Sequence, residues 1–470
     1  MRTQTLAAAT ATGLALALAT ALPAAGANGH HTKAGGKHSP GATSGSSSFS
    51  VGQLQAQTVG ASGCGTNTAG EPSIHVSKDN LVGLASERGV GNGTDFWSGT
   101  QVGGTAAANA CALTYDGQPN AVAGFGASGG DVDEAIAPVK DPATGTYRIY
   151  VASLNLASVN VATSEDNAKT FSQVPVVGGL PGDDREWIAA YGPSTALLTY
   201  HDIVTDNIDV LRSDDGGKTF VQRSRAIDDT DPNSSFNELG NIVIDHNNTA
   251  GAAPGQFWAY QSYVAPSDPS GSTMDEAYLA VSNDGGTTWA DKPIPCTTQF
   301  GSNGLDHNFP NVSVAPNGTL FYAVSNDKAI YVAMSSDHGD TWTCSGPVSS
   351  SSQAIFPWIV ATSAGEDLVY YGASGSGSSQ LWSVYFAQNL TQSVTGWSTT
   401  KVVDVHRGAV CEGGISCNGG RQLFDDFGVD TDQSGWAHIA YSHDSPDLGG
   451  DLTYTGYAVQ TGGTPVGVPN

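Results

Sequence analysis

The sequence predicts an all-β protein, a seven-bladed β-propeller whose last blade is completed by a strand from the N-terminal side. Three observations predict it. Gly makes up 60 of the 470 residues, and the apolar residues fall in short Val/Ile/Tyr/Trp-rich runs instead of long stretches of helical period. Segments with a polar or acidic start followed by small and apolar residues recur seven times, at roughly 50- to 70-residue intervals that suit four short strands and their turns. A turn string, Ser-x-Asp-x-Gly-x-Thr-aromatic, appears four times.

In chain order, residues 1–27 have the form of a secretory leader: Arg2, an apolar run through Leu14–Ala19, and Ala25-Gly26-Ala27 as a small-residue cleavage site. No Cys follows the run, so a lipoprotein anchor is not expected, and no later segment has the ~20 apolar residues that span a bilayer. Residues 28–48 are rich in Gly, Ser and His without apolar period and are expected to be a disordered linker. From residue 49 a single propeller domain follows, and the product is expected to be secreted. With 18 basic against 44 acidic residues the formal charge is −26. That field repels phosphate backbones and anionic lipid, which excludes nucleic acid and membrane surfaces as partners.

The seven segments are Glu71–Val76, Asp133–Ala137, Asp184–Ala190, Glu238–Ile244, Asn308–Val314, Ile355–Val360 and Asp425–Val429, each read as the first strand of a blade. Each is followed by a turn and a second strand, and third strands run into the repeated turns where these exist. The seventh unit ends after its third strand, Leu452–Val459. Phe49–Thr58 supplies the missing strand, so that pairing the two ends closes the ring and removes exposed sheet edges.

The turn strings are Ser164–Phe171, Ser213–Phe220, Ser282–Trp289 and Ser335–Trp342, with Ala168 in place of Gly in the first. Asp hydrogen-bonds nearby backbone N–H groups, Gly takes the left-handed conformation, and the aromatic packs under a neighbouring strand. The pattern resembles the Asp-box, or BNR repeat, of the sialidase-like β-propellers, and the chain is similar to a secreted bacterial member of that superfamily. The resemblance implies that these turns lie between third and fourth strands, away from the functional face. It also keeps a six-bladed ring, as in sialidases, as the alternative, because Arg88–Phe125 is poorly patterned.

Six Cys in an exported chain point to disulfides, with fifteen pairings open. The arrangement that suits the repeats joins Cys64 to Cys111, Cys296 to Cys344 and Cys411 to Cys417.

In propellers the first strands converge on an axial funnel, so chemistry is sought in the loops leading into them and in the loops between second and third strands. These loops carry Glu71, Asp133, Glu134, Asp184, Arg185, Glu186, Glu238, Asp306, His307, Asp425, Asp426, Glu87, Arg88, His201 and His443. Crowded carboxylates serve as acid, base or nucleophile in glycosidic cleavage, as Ca²⁺ ligands, or as acceptors for backbone N–H groups. The expected catalytic set is Glu71, Asp184, Arg185, Glu186, Glu238, Asp426, His201, His307 and His443. Arg88, Trp187, Asp133, Glu134 and Asp306 are expected to bind substrate, with Trp187 as a rim surface for a sugar face. Asp229, Asp231 and Glu238 form the expected Ca²⁺ site. Asp430-x-Asp432-x-Ser434-Gly435 starts like a Ca²⁺ loop, but Tyr441 stands where Glu is needed and a hairpin turn explains it.

Sialidases use an arginine triad for the substrate carboxylate, and here Glu71 stands where the first arginine would be. The resemblance therefore implies a monomeric, glycan-active propeller, a glycoside hydrolase or lyase acting on an extracellular carbohydrate or glycoconjugate other than sialic acid. The other reading is a non-catalytic extracellular propeller that binds carbohydrate, protein or calcium.

Overall fold

The structure is a computed structural model. It describes residues 47–470 except 90, 122–128, 156–157, 175–181, 297–299, 301–303, 306–308, 350, 413–416, 418–421, 426, 445–447 and 451. The expected leader and nearly all of the expected linker lie outside the described residues.

Seven four-stranded antiparallel sheets form the blades. Their innermost strands are Gly70–Val76, Val132–Ile136, Asp183–Tyr191, Glu238–Ile244, Asn311–Val314, Gln353–Ala361 and Gly428–Thr431, here blades 1 to 7. Each packs against the next, and that of blade 7 against that of blade 1, which closes the ring. All seven first strands expected from the sequence are present, and the six-bladed alternative is excluded. Blade 1 has its third and fourth strands at Thr94–Thr100 and Thr114–Gly117, inside the poorly patterned region.

Blade 7 is the hybrid. Ser48–Gln53 pairs antiparallel with Tyr454–Gly462, Phe49 lying opposite Gln460 and Gln53 opposite Gly456. The strand ends at Gln53 and not at Thr58 because the chain is drawn over blade 1 there. Trp97 Nε1 donates to the Gln55 carbonyl at 2.7 Å, and Cys64 is joined to Cys111. Phe49 also meets the Phe386 ring edge-on at 5.1 Å, tying the closing strand to blade 6. The other disulfides are Cys296–Cys344 and Cys411–Cys417, as expected.

The four repeated turns join third to fourth strands in blades 2 to 5. In Ser282–Trp289 the Asp284 carboxylate accepts from Thr287 N, Thr288 N, Thr288 Oγ1 and Ser282 Oγ at 2.8–3.0 Å. Gly285 (φ 72°) and Gly286 (φ 84°) take the left-handed conformation, and Gly286 sits against Leu197 of blade 3, where a side chain would crowd it. Ala168 adopts φ 66° at the corresponding place in blade 2. Asp432 likewise accepts from Ser434 N and Trp436 N, so the Ca²⁺-like string is a hairpin turn.

Inner strands present one edge to the axis, and their N–H groups need partners. Side chains of a neighbouring blade supply them. Asp133 accepts from Ser73 Oγ and Ile188 N, Glu134 from His75 N, Asn241 from Val312 N, Asn311 from Ile359 N, and Asp430 of blade 7 from Val76 N of blade 1. Asp133 and Glu134, expected to bind substrate, are buried in this stitching.

Candidate active site at the axial mouth

The inner strands start irregularly, and this shapes the site. Glu71 (φ 51°), Arg185 (35°), Phe309 (22°), Phe356 (54°) and Phe424 (58°) occupy the left-handed region near the start of the inner strands of blades 1, 3, 5, 6 and 7. In blades 1, 3 and 6 the residue falls in a break in the strand register. Such a bulge re-aims one side chain out of the alternation, here toward the axis.

Arg185 and Glu71 meet there. Arg185 Nη1 donates to Glu71 Oε1 at 2.8 Å, with both side chains buried. The guanidinium lies 3.8 Å from the Trp187 ring centroid and 5.0 Å from that of Phe309. Trp187 also contacts Trp358 at 5.4 Å and Phe309 at 5.9 Å. These rings floor the mouth, and below them Trp358 also lines an axial cavity of about 160 Å³ walled by inner-strand residues such as Val243, Val314 and Val360. Trp187 is only 1% exposed. It is a buried platform for Arg185 and not the rim surface expected for a sugar.

Around this pair stand more acids. One oxygen each from Glu71, Glu87 and Asp131 lie within 4.8 Å of one another. Glu87 ends the second strand of blade 1 opposite Gly70, and Asp131 precedes the inner strand of blade 2. Glu186 is fully buried, and neither of its carboxyl oxygens has a hydrogen-bond partner among the described residues. Burial, then the charge of Asp131, hold its pKa well above the carboxylate range, and Arg185 opposes them. Asp184 is exposed and lies opposite His201 across the strand pair. Loss of water, then Asp131, raise its pKa. His201 Nε2 contacts the Asp206 carbonyl at 3.0 Å.

The structure thus gathers Glu71, Asp184, Arg185, Glu186 and His201 from the expected set, together with Glu87 and Asp131. Asp131 was missed because it follows Gly129-Gly130 and looks like the end of a linker. Glu238 starts the inner strand of blade 4 and is half-buried. Arg88, just after the second strand of blade 1, sits 3.7 Å from the buried Asp95 of the third. His443 packs between Tyr441 and Tyr454, and burial lowers its pKa to about 4, so it is neutral at physiological pH. Asp306, His307 and Asp426 lie outside the described residues. The expected Ca²⁺ ligands are otherwise engaged: Asp229 accepts from Arg225 and Asn207, and Asp231 caps a 3₁₀ turn through Asn233 N. Among the described residues the only group of three ligating side chains is Glu71, Glu87 and Asp131, so the expected metal site is not assembled at Asp229, Asp231 and Glu238.

No family model matches the chain, and no curated protein does. Among solved structures, an ulvan lyase bound to a sulfated disaccharide repeat aligns with TM-score 0.46 and 10% identity over 84% of this chain and 95% of its own. A YCF48 protein bound to a D1 peptide aligns with TM-score 0.45 and 12% identity over 89% and 97%. The NanB sialidase of Streptococcus pneumoniae aligns with TM-score 0.40 and 9% identity over 87% and 70%. These enzymes and a peptide-binding protein share with this chain a distant likeness of fold, which decides nothing about its activity.

Proposed function

We propose that this chain is a secreted, glycan-active propeller, a glycoside hydrolase or lyase working at the axial mouth of blades 1 to 3 on a substrate other than sialic acid. The observation that carries the reading is Glu186: a fully buried carboxyl whose pKa burial, then Asp131, raise well above the usual range, one residue from Arg185 and two from the exposed Asp184. Two carboxyls in such different surroundings are what acid–base cleavage of a glycosidic bond requires, one delivering a proton to the leaving oxygen and one accepting a proton or attacking. Glu186 is assigned the proton donor. Asp184, with His201 beside it, is assigned the group that accepts a proton or attacks. Arg185, braced by Glu71 and Trp187, is assigned to orient a hydroxyl or ring oxygen.

The crowd of acids favours a neutral glycan over an anionic one. Glu71 in the place of a sialidase's first arginine supports the same exclusion. The four turns support membership of the Asp-box group, and three disulfides with no free Cys among the described residues support export through the leader at residues 1–27.

The second reading, a non-catalytic binder, is favoured by Ile203 (54% exposed) and Val204 (71% exposed), which project from the turn after His201 and Asp202. A screen of neutral plant and microbial glycans, read both for binding and for new reducing ends or unsaturated products, separates the two. Product formation supports the enzyme, binding without product supports the binder, and neither with any glycan sinks the glycan reading.

A further inference from the structure

We infer that the axial cavity below the mouth is a second binding site, one that takes a compact, uncharged apolar molecule, and that residues 464–470 are the strap under which this molecule enters. It stands apart from the glycan reading, since it uses none of the groups assigned to glycan cleavage.

The cavity occupies the half of the axis away from the mouth. Its walls come from the closing residues of the inner strands, such as Ala190, Ile244, Val314 and Ala361, and its lower end from the turns that follow, at Pro138, His246 and Gln433. Toward the mouth it meets Trp358, packed on Trp187 at 5.4 Å.

A buried water holds its place through two to four hydrogen bonds. The middle of this wall offers few. Asp133 accepts from Ser73 Oγ and Ile188 N, and Asp430 from Val76 N and Thr431 N. Asn241 is bound to both the N–H and the carbonyl of Val312, and Ser313 Oγ accepts from Ala361 N. All four line the cavity, yet each is already engaged in holding strands or joining one blade to the next. What is left facing the space is the aliphatic surface of Ile, Val and Ala. At about 160 Å³ the cavity matches apolar cavities of ~150 Å³ that stay dry and take benzene. An anion would lie against Asp133 and Asp430 and a cation against Lys78 at the lower end, so an uncharged molecule fits best.

The strap crosses the lower end from blade 7 to blade 4. Val466 N donates to the Gly435 carbonyl, Thr362 Oγ1 to the Val466 carbonyl, Ser363 N to the Val468 carbonyl and Asn470 Nδ2 to the Ile244 carbonyl, at 2.8–3.2 Å. Pro469 and Asn470 then line the cavity. Of the strap's side chains only Val466 is buried, and Val468 is 45% exposed. A segment held by rim hydrogen bonds and one apolar anchor opens at lower cost than the packed rings under the mouth.

The experiment uses the chain from residue 28 onward with toluene as the probe, titrated calorimetrically and by thermal unfolding, with phenol in parallel. The expected result is one toluene per chain, a melting temperature that rises with toluene, and phenol bound at least tenfold more weakly. Val243→Phe and Val76→Phe, two half-buried wall positions, fill the space and should each weaken toluene binding at least tenfold. Val466→Ser loosens the anchor of the strap and should speed exchange of bound toluene, read by NMR, at least tenfold. The wild-type titration needs no variant, so a misfolded variant does not remove the test. Absence of binding up to the solubility limit of toluene, phenol bound as tightly as toluene, or toluene affinity preserved in both Val243→Phe and Val76→Phe would each overturn the site. Unchanged exchange in Val466→Ser would overturn the strap as the way in.

Discussion

Replacing Glu186 with Gln swaps a buried carboxyl, its pKa raised by burial, for a neutral group of nearly the same shape. The consequence for stability follows from proton linkage. In the unfolded chain a Glu titrates near pH 4.3, whereas in the folded protein burial and Asp131 keep the Glu186 proton on to well above that. Between those two points the folded state holds a proton that the unfolded state releases, so each pH unit costs about 1.4 kcal/mol of wild-type stability. Gln has no proton to lose. Relative to wild type, Glu186→Gln should be unchanged near pH 4 and should gain stability as pH rises from there, by at most about 1.4 kcal/mol per pH unit for as long as the folded carboxyl keeps its proton. At ~2.1 cal/mol/K per residue over the roughly 420 residues of the propeller, each 1.4 kcal/mol is about 1.6 °C in melting temperature. The other buried acids, Glu134, Glu366 and Asp367, are common to both proteins and cancel in the difference. The assay is thermal unfolding of the two proteins side by side, in EDTA, across this pH range. A difference that stays flat with pH, or a variant that loses stability relative to wild type as pH rises, would refute a proton on Glu186.

Two other perturbations test the scaffold. Removing Ser48–Gln53 should leave the outer edge of the Tyr454–Gly462 strand unpaired and expose Phe386, so the truncated chain should aggregate or melt well below the full one; equal melting would show that the ring closes otherwise. Asp284→Ala removes four hydrogen bonds from one turn and should lower stability by about 1–3 kcal/mol, measured by denaturant unfolding, while leaving glycan binding at the mouth unchanged.

The scaffold was largely legible because its signals repeat. The seven strand starts, the four Asp-centred turns and the blade closed across the termini each have a local signature in spacing or composition, whereas the disulfide pairing followed only from the repeat arrangement. The site was less so. A left-handed residue at Glu71 or Arg185 has no sequence mark, since neither is Gly or Asn, and without that bulge the alternation of a strand sends Trp187 toward the mouth and buries its neighbours differently. Asp133 and Asp184 look alike in sequence, yet one is buried and consumed by the N–H of Ile188, while the other is exposed and accepts from the N–H of Arg185. Asp131 has only glycines before it to mark it. Whether an acid stitches two blades or faces the axis depends on the register between blades, which no single segment encodes.

The measurement that bears most directly on the proposed chemistry is the rate of glycan cleavage by wild type, Glu186→Gln, Asp184→Asn and Glu366→Gln, on a neutral glycan found in the screen. Glu366 is a buried acid in blade 6 with its pKa raised to about 9, so it controls for the loss of any buried proton. The expected outcome is a kcat at least 100-fold lower in Glu186→Gln and Asp184→Asn with KM little changed, and near wild-type kcat in Glu366→Gln, in line with the contribution of a positioned acid or base. Full turnover by Glu186→Gln would contradict the assignment of the mouth of blades 1 to 3 as the catalytic site.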